Sequence, residues 1–332
     1  MATLKDVAEK AGVTVTTVSR MLNNRGYISE KTRENITNAM KELNYQPNEV
    51  ARSLSLQKSS YIGLIVPSTR NMFFCKIIDG IEKLLSKRGY KLLLCNSNME
   101  LNKEIEYFDM LNANKVAGVI IASHTEGLVD KISFEAPIVT LNIVFNEKIP
   151  SVCSDMAGGG RLVAQHLIDN GCKKLAYIRG SEYLTSDETN RYLAFKEICE
   201  ENNIQHVVFE TNEEQFQEMR YDSVIQSLLC DYPEIDGVFA SNDIIAAQII
   251  QRCYEKGIEI PEKLKVIGYD DIDLCRLTTP QITTIRQPYN ELCQKVTEHL
   301  FTMIEEKVNP GNAVIPVTLV ERDTVKKRRR PV

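Results

Sequence analysis

Apolar positions in this chain follow two different periods. From Thr3 to Leu43 they recur at helical spacing. Leu4, Val7, Ala8 and Ala11 fall at i, i+3, i+4 and i+7. Thr3 followed by Asp6 predicts an N-cap with an acidic first turn, and Gly12 ends the helix. Thr14 then caps a second helix, Val15 to about Leu22, with Val18 and Leu22 facing the first. A third helix starts at Ser29, carries Ile36, Ala39, Met40 and Leu43, and stops at Tyr45-Gln46-Pro47. From Tyr61 the pattern changes to short apolar runs alternating with amphipathic helices. The runs are Tyr61–Val66, Lys91–Cys95, Val116–Ala122, Ile138–Asn142, Leu175–Ile178, Val207–Phe209, Gly237–Ala240 and Val266–Tyr269. Helical patterns such as Met72–Arg88, Gly160–Asn170, Thr189–Asn202, Asp243–Lys256 and Tyr289–Glu306 lie between them.

The alternation predicts parallel sheets covered on both faces, and its length calls for two α/β subdomains. The fold class is a small all-α head followed by a core of two doubly wound parallel sheets. Between them, Asn48–Leu56 is apolar at Val50, Ala51 and Leu54 but too short to be a stable helix alone. It reads either as a helix that forms on binding or as a plain linker.

The outer face of the second helix holds Val15, Thr16, Ser19 and Arg20. Two short helices joined by a glycine turn read as helix-turn-helix. That face suits a major groove, because small side chains let the helix approach and Arg20 can pair with a guanine edge. An ordinary α-hairpin with solvated polar residues is the competing reading. The net charge of −5 argues weakly against nucleic acid, but the distribution does not. Residues 1–58 carry nine Lys/Arg against six Asp/Glu, while the rest carries 31 against 39.

Nine scattered cysteines without a C-x-x-C pair read as reduced core residues of a cytoplasmic protein. No apolar run approaches the length of a membrane span, and the N-terminus leads directly into a capped helix rather than a signal peptide. Catalysis finds little support. Ala157-Gly158-Gly159-Gly160 matches neither phosphate-binding glycine pattern, there is no G-x-S-x-G elbow, and the histidines lack metal-ligand spacing. No metal or cofactor is expected. The basic run Lys326–Arg330 reads as a solvated tail.

Several stretches together resemble the lactose-repressor/galactose-repressor family of bacterial transcription regulators. TLKDVAEKAGVTVTTVSRMLN is similar to its reading head, NYQPNEVARSL to its hinge, and IGLIVPSTRNMFF to its first core strand, although that family usually has proline where Met72 stands. SNDIIA, VIGYDDI and TTIRQPY resemble three later core motifs in the expected order. Within the family, the core most resembles sucrose- and ribose-type regulators.

The resemblance implies a periplasmic-binding-protein-like core, a homodimer, a palindromic DNA operator and a small sugar or sugar-phosphate effector. It places the head at 1–46, the hinge at 47–60 and the core at 61–332. The N-terminal subdomain would hold about 61–156 and 286–312, and the C-terminal subdomain about 157–285 and 313–332. By resemblance, Val15, Thr16 and Arg20 read bases, while Thr3, Thr17, Ser19 and Asn23 position the backbone. Leu54 matches an intercalating leucine, with Asn48, Ala51 and Ser55 beside it in the minor groove. Arg191 matches the effector arginine, Asp270 a carboxylate accepting hydroxyl protons, and Asn242 an amide that donates and accepts. Asp270 and Asn242 also suit helix capping. Phe73 or Phe74 would face a sugar ring, with His124, Asp155 and Tyr289 as further candidates.

The family's tetramers use a C-terminal leucine heptad, which VERDTVKKRRRPV lacks, so a dimer is expected. The implied function is a repressor of carbohydrate-utilisation genes released by its sugar. The alternatives are a catabolite regulator with a phosphorylated carrier-protein co-effector and a transport-type sugar receptor.

Overall fold

The computed structural model describes residues 2–23, 25–46, 59–123, 125, 127–180 and 186–326. The expected hinge residues Asn48, Ala51, Leu54 and Ser55, and the effector candidate His124, lie outside the described residues. The chain divides into two units, Met1–Ser59 and Ser60–Val332.

The head is three helices: α1 (Leu4–Ala11), α2 (Val15–Leu22) and α3 (Glu30–Glu42). Each starts at a side-chain cap. Thr3, Thr14 and Ser29 accept from the amides of Asp6, Thr17 and Thr32. The α1 cap is reciprocal, since the Thr3 amide and hydroxyl donate to the Asp6 carboxylate at 2.8 and 2.9 Å. Those bonds, the amide's first, hold the Asp6 carboxyl below its usual range. Gly12 takes φ +67°, the left-handed conformation that turns the chain from α1 into α2. Val7, Ala8, Val18, Ile36 and Ala39 form the buried core of this unit.

The larger unit holds two six-stranded sheets. In chain order the elements are β1 (Tyr61–Val66), α4 (Met72–Lys87), β2 (Lys91–Asn96), α5 (Leu101–Ala113), β3 (Gly118–Ile121), α6 (Leu128–Lys131), β4 (Ile138–Leu141) and β5 (Ser151–Ser154). Then come α7 (Met156–Asp169), β6 (Lys174–Arg179), α8 (Ser186–Glu201), β7 (Gln205–Glu210), α9 (Glu213–Glu218), α10 (Asp222–Asp231), β8 (Gly237–Ala240), α11 (Asp243–Lys256) and β9 (Lys265–Asp270). A 3-10 turn at Asp273–Arg276, β10 (Thr283–Arg286), α12 (Tyr289–Glu305), β11 (Ala313–Ile315) and β12 (Thr318–Val320) complete it.

The first sheet runs β11-β5-β4-β3-β1-β2 and the second β12-β10-β9-β8-β6-β7. All pairings are parallel except β10 with β12. Each sheet reverses its winding beside its first strand, which leaves a crevice at the strand C-termini. Four apolar clusters cover the four sheet faces. One has α4 and α12 against the first sheet, and another has α7 and α8 against the second.

The chain passes between the sheets three times: after β5, after β10 and between β11 and β12. The last passage corrects an expectation. Ala313–Ile315 pairs with Val152–Ser154 in the first sheet, so the C-terminal subdomain resumes at Thr318 rather than at 313. Arg286 closes β10 in the second sheet, so the crossing follows it. Strands of three residues joined by a proline carry too little pattern to be divided from sequence.

The glycine run in α7 serves packing. A Cβ on Gly160 would overlap the Arg191 carbonyl oxygen, and one on Gly159 would lie 2.7 Å from the Tyr269 hydroxyl. The glycines therefore let α7 approach α8 and β9 closely.

Candidate DNA interface and effector site

On α2, Val15, Thr16 and Arg20 are exposed while Val18 is fully buried. One side of the helix thus anchors it in the head and the other is free to enter a groove. The remaining candidates are in local contacts. The Thr17 hydroxyl is 2.9 Å from that of Thr14, and Asn23 donates to the Ser19 hydroxyl at 3.3 Å. Thr3 is the α1 cap.

The effector candidates gather at the strand C-termini of the larger unit. On the first sheet's side, Phe73 and Phe74 start α4 and meet edge to face at 5.0 Å. Tyr289, at the start of α12, lies 5.4 Å from Phe73. Phe216, on α9, packs against the same cluster although its helix belongs to the second sheet's half. Sequence reasoning missed Phe216, because α9 is only six residues long and shows no buried stripe.

On the second sheet's side, Arg191 is buried to 6% exposure. Its guanidinium lies 4.3 Å from the Tyr269 ring centroid, and its Nη1 donates to the Ser241 carbonyl at 3.4 Å. Asn242 follows at once. Its amide oxygen caps α11 by accepting from the Ile245 amide at 2.9 Å, as the capping alternative expected. Asp270 ends β9 with φ +105°, and its carboxylate accepts from Gln287 at 2.6 Å instead of capping a helix. The Tyr289 hydroxyl donates to the Asp270 carbonyl at 2.6 Å, so the two sides touch here. Burial, then the nearby Asp270 charge, pushes the Tyr289 phenol well above its usual range and keeps it a donor.

Asp155 caps α7 by accepting from the Gly158 amide at 2.7 Å. It lines a cavity of about 790 Å³ with Ser154, Arg161, Leu193 and Val314, away from the aromatic group.

Gln287 is a second residue that sequence reasoning missed. It is 4% exposed and sits at a crossing between the sheets. Its Oε1 accepts from Asn142 at 3.0 Å and Ser154 at 2.9 Å in the first half, while its Nε2 donates to Asp270 in the second. Other bonds also cross. Lys76 donates to the Asp271 carbonyl and to Asp273, at 3.2 and 3.1 Å. Arg70 donates to the Gln217 carbonyl at 3.1 Å, and Gln217 to the Asn98 carbonyl at 2.9 Å. Burial opposes the charge of Asp271, but Arg322 and Arg286 outweigh it and hold that carboxyl below its usual range.

The comparisons with known proteins agree with this architecture. Residues 3–48 match the family of bacterial regulatory proteins of the lacI type, and residues 164–325 match a periplasmic binding protein-like domain. The chain is 38% identical to the ribose operon repressor of Halalkalibacterium halodurans over 98% of both chains. It belongs to the lacI family of bacterial regulatory proteins. A solved structure of the lac repressor dimer, bound to operator and the anti-inducer ONPF, matches with a TM-score of 0.84 at 27% identity over 98% of this chain and 99% of that one. A periplasmic binding protein/LacI transcriptional regulator from Alkaliphilus metalliredigens, complexed with D-xylulofuranose, matches with a TM-score of 0.72 at 30% identity over 80% of this chain and 99% of that one. As a member of this family the chain is a sequence-specific DNA-binding repressor, not an enzyme, and its core takes a small-molecule effector.

Proposed function

We propose that the chain is a homodimeric cytoplasmic repressor of pentose-utilisation genes. D-ribose or a closely related pentose is the effector, and its binding releases the operator. The observation that carries this reading is the convergence of Arg191, Asn242 and Asp270 at neighbouring strand ends, opposite Phe73, Phe74 and Tyr289. A planar guanidinium and a carboxylate grip vicinal hydroxyls, and aromatic faces take the apolar face of a sugar ring. The ribose repressor relative and the xylulofuranose complex support a pentose.

The head's role follows from α2. Arg20 recognises a base edge in each half-site of a pseudo-palindrome, and Val15 and Thr16 contact neighbouring bases. Residues 47–60 join the head to β1 directly, so a shift of the first sheet's half is passed to the head through the chain. The effector moves this equilibrium only by its differential affinity for the two states, about 1–3 kcal/mol.

D-ribose at 100 times its dissociation constant should stabilise the fold by roughly 2.7 kcal/mol in a thermal-shift assay. It should also lower operator affinity in titrations. Arg191→Ala should bind operator as before and fail to release it. Arg20→Ala should relax preference at one operator position, at about 1–3 kcal/mol. Tighter operator binding with D-ribose, or release from Arg191→Ala at the same D-ribose concentration, rules this mechanism out.

A further inference from the structure

We propose that Tyr177 is the positioning residue for the effector arginine, fixing the in-plane orientation in which Arg191 meets its ligand. This rests on the reading of Arg191 as an effector residue. Tyr177 lies on β6, fully buried, and faces α7 and α8. It pairs in register with Phe239 on β8, and the two rings stack at 4.4 Å and 10°. The ring is therefore held by the sheet itself. Its hydroxyl accepts from Arg191 Nε at 2.9 Å.

Three contacts of Arg191 bear on the guanidinium pose. The Tyr269 ring lies 4.3 Å from it, the Ser241 carbonyl accepts from Nη1, and the Tyr177 oxygen fixes rotation within the plane. An arginine in water has many rotamers, and ordering it opposes ligand binding. Here the folded sheet has already ordered it. The Arg191 Nε–H is thereby engaged by the protein.

The test substitutes Tyr177→Phe, which keeps the ring and removes only the oxygen. It is made in the unaltered chain and in Arg191→Lys, whose side chain has no Nε–H to position. D-ribose is titrated by calorimetry at millimolar concentrations, and operator affinity and melting are read without sugar. The expected result is a roughly tenfold rise in the D-ribose dissociation constant in the arginine background. In the lysine background no further change is expected, since the two residues act as one unit. Operator affinity without sugar should be unchanged in Tyr177→Phe.

A sugar-free readout is the Arg191 Nε–H resonance, which should exchange slowly with water and lose that protection in Tyr177→Phe. Unchanged protection overturns the proposal. So does D-ribose affinity within twofold of the original, or an equal loss in both backgrounds, which would mean that Tyr177 acts through packing. Undiminished binding by Arg191→Lys instead overturns the reading of Arg191 itself. D-ribose failing to bind the unaltered chain overturns the pentose assignment and takes the Tyr177 role with it.

Discussion

The two halves of the proposed effector crevice are built from opposite materials. The first sheet's half presents Phe73, Phe74 and Tyr289, all packed into the apolar cluster beneath them. The second sheet's half presents Arg191, Asn242 and Asp270, each already in a hydrogen bond with its own half or with Gln287. The difference shows where each half's precision comes from. Aromatic side chains are positioned by packing, and they hold the fold as well as any ligand. Polar side chains are positioned by partners, because a buried charge without them would not be tolerated. One half should therefore lose stability when truncated, and the other should lose ligand discrimination.

Phe74→Ala is the strongest way to break that contrast. The ring is 6% exposed within the core cluster, so the cost in urea unfolding should be about 3–5 kcal/mol. A cost below about 1 kcal/mol would mean that the aromatic half is a ligand platform and not core.

Gln287→Ala probes the link between the halves. It removes one acceptor shared by Asn142 and Ser154 and one donor to Asp270. Leaving such groups unpaired should cost about 2–3 kcal/mol of stability and weaken the sugar's effect on operator affinity. An unchanged ratio of operator affinities with and without sugar would place Gln287 outside the coupling.

A further effect is a pH dependence confined to the polar half. Asp243 is fully buried, and burial pushes its carboxyl up to about 7 against hydrogen bonds from the Thr284 hydroxyl and the Ile272 amide. Folding thus favours the protonated form. Its contribution to stability is complete below the ordinary value of 3.8 and is lost as pH rises through about 7. The urea-unfolding free energy of the unaltered chain should fall relative to Asp243→Asn between about pH 4 and 7, by at most about 1.4 kcal/mol per unit. Parallel curves would mean that Asp243 does not titrate in this range.

Local chemistry was legible wherever one residue acts on its near neighbours. Thr3, Thr14 and Ser29 read as caps and are caps. Asp243–Lys256 read as a helix and has those bounds, because Asn242 starts it and Gly257, at φ +68°, ends it. The apolar runs at Tyr61–Val66 and Gly237–Ala240 are strands of that length. Short strands rich in polar residues escaped this reading. Ser151–Ser154 is fully buried yet half polar, and Thr283–Arg286 mixes threonine with a single isoleucine. Both are held by neighbours on either side in their sheets, which no local pattern reports.

The sequence alone determined the order of the parts: a basic three-helix head, a short amphipathic connector and an α/β core, with the motif residues that carry the family resemblance. Capping, helical period and charge are properties of neighbours in the chain, so they survive without a fold. Tertiary structure decided which of those residues meet. Gly159 and Gly160 proved to let α7 pack closely on β9 and α8, and Gln287 proved to be the joint between the halves. Tyr177 and Arg191, 14 positions apart, share a hydrogen bond because β6 and α8 pack face to sheet. Contacts of that kind depend on strand register and helix approach, which are set by the whole buried core and not by any one stretch of it.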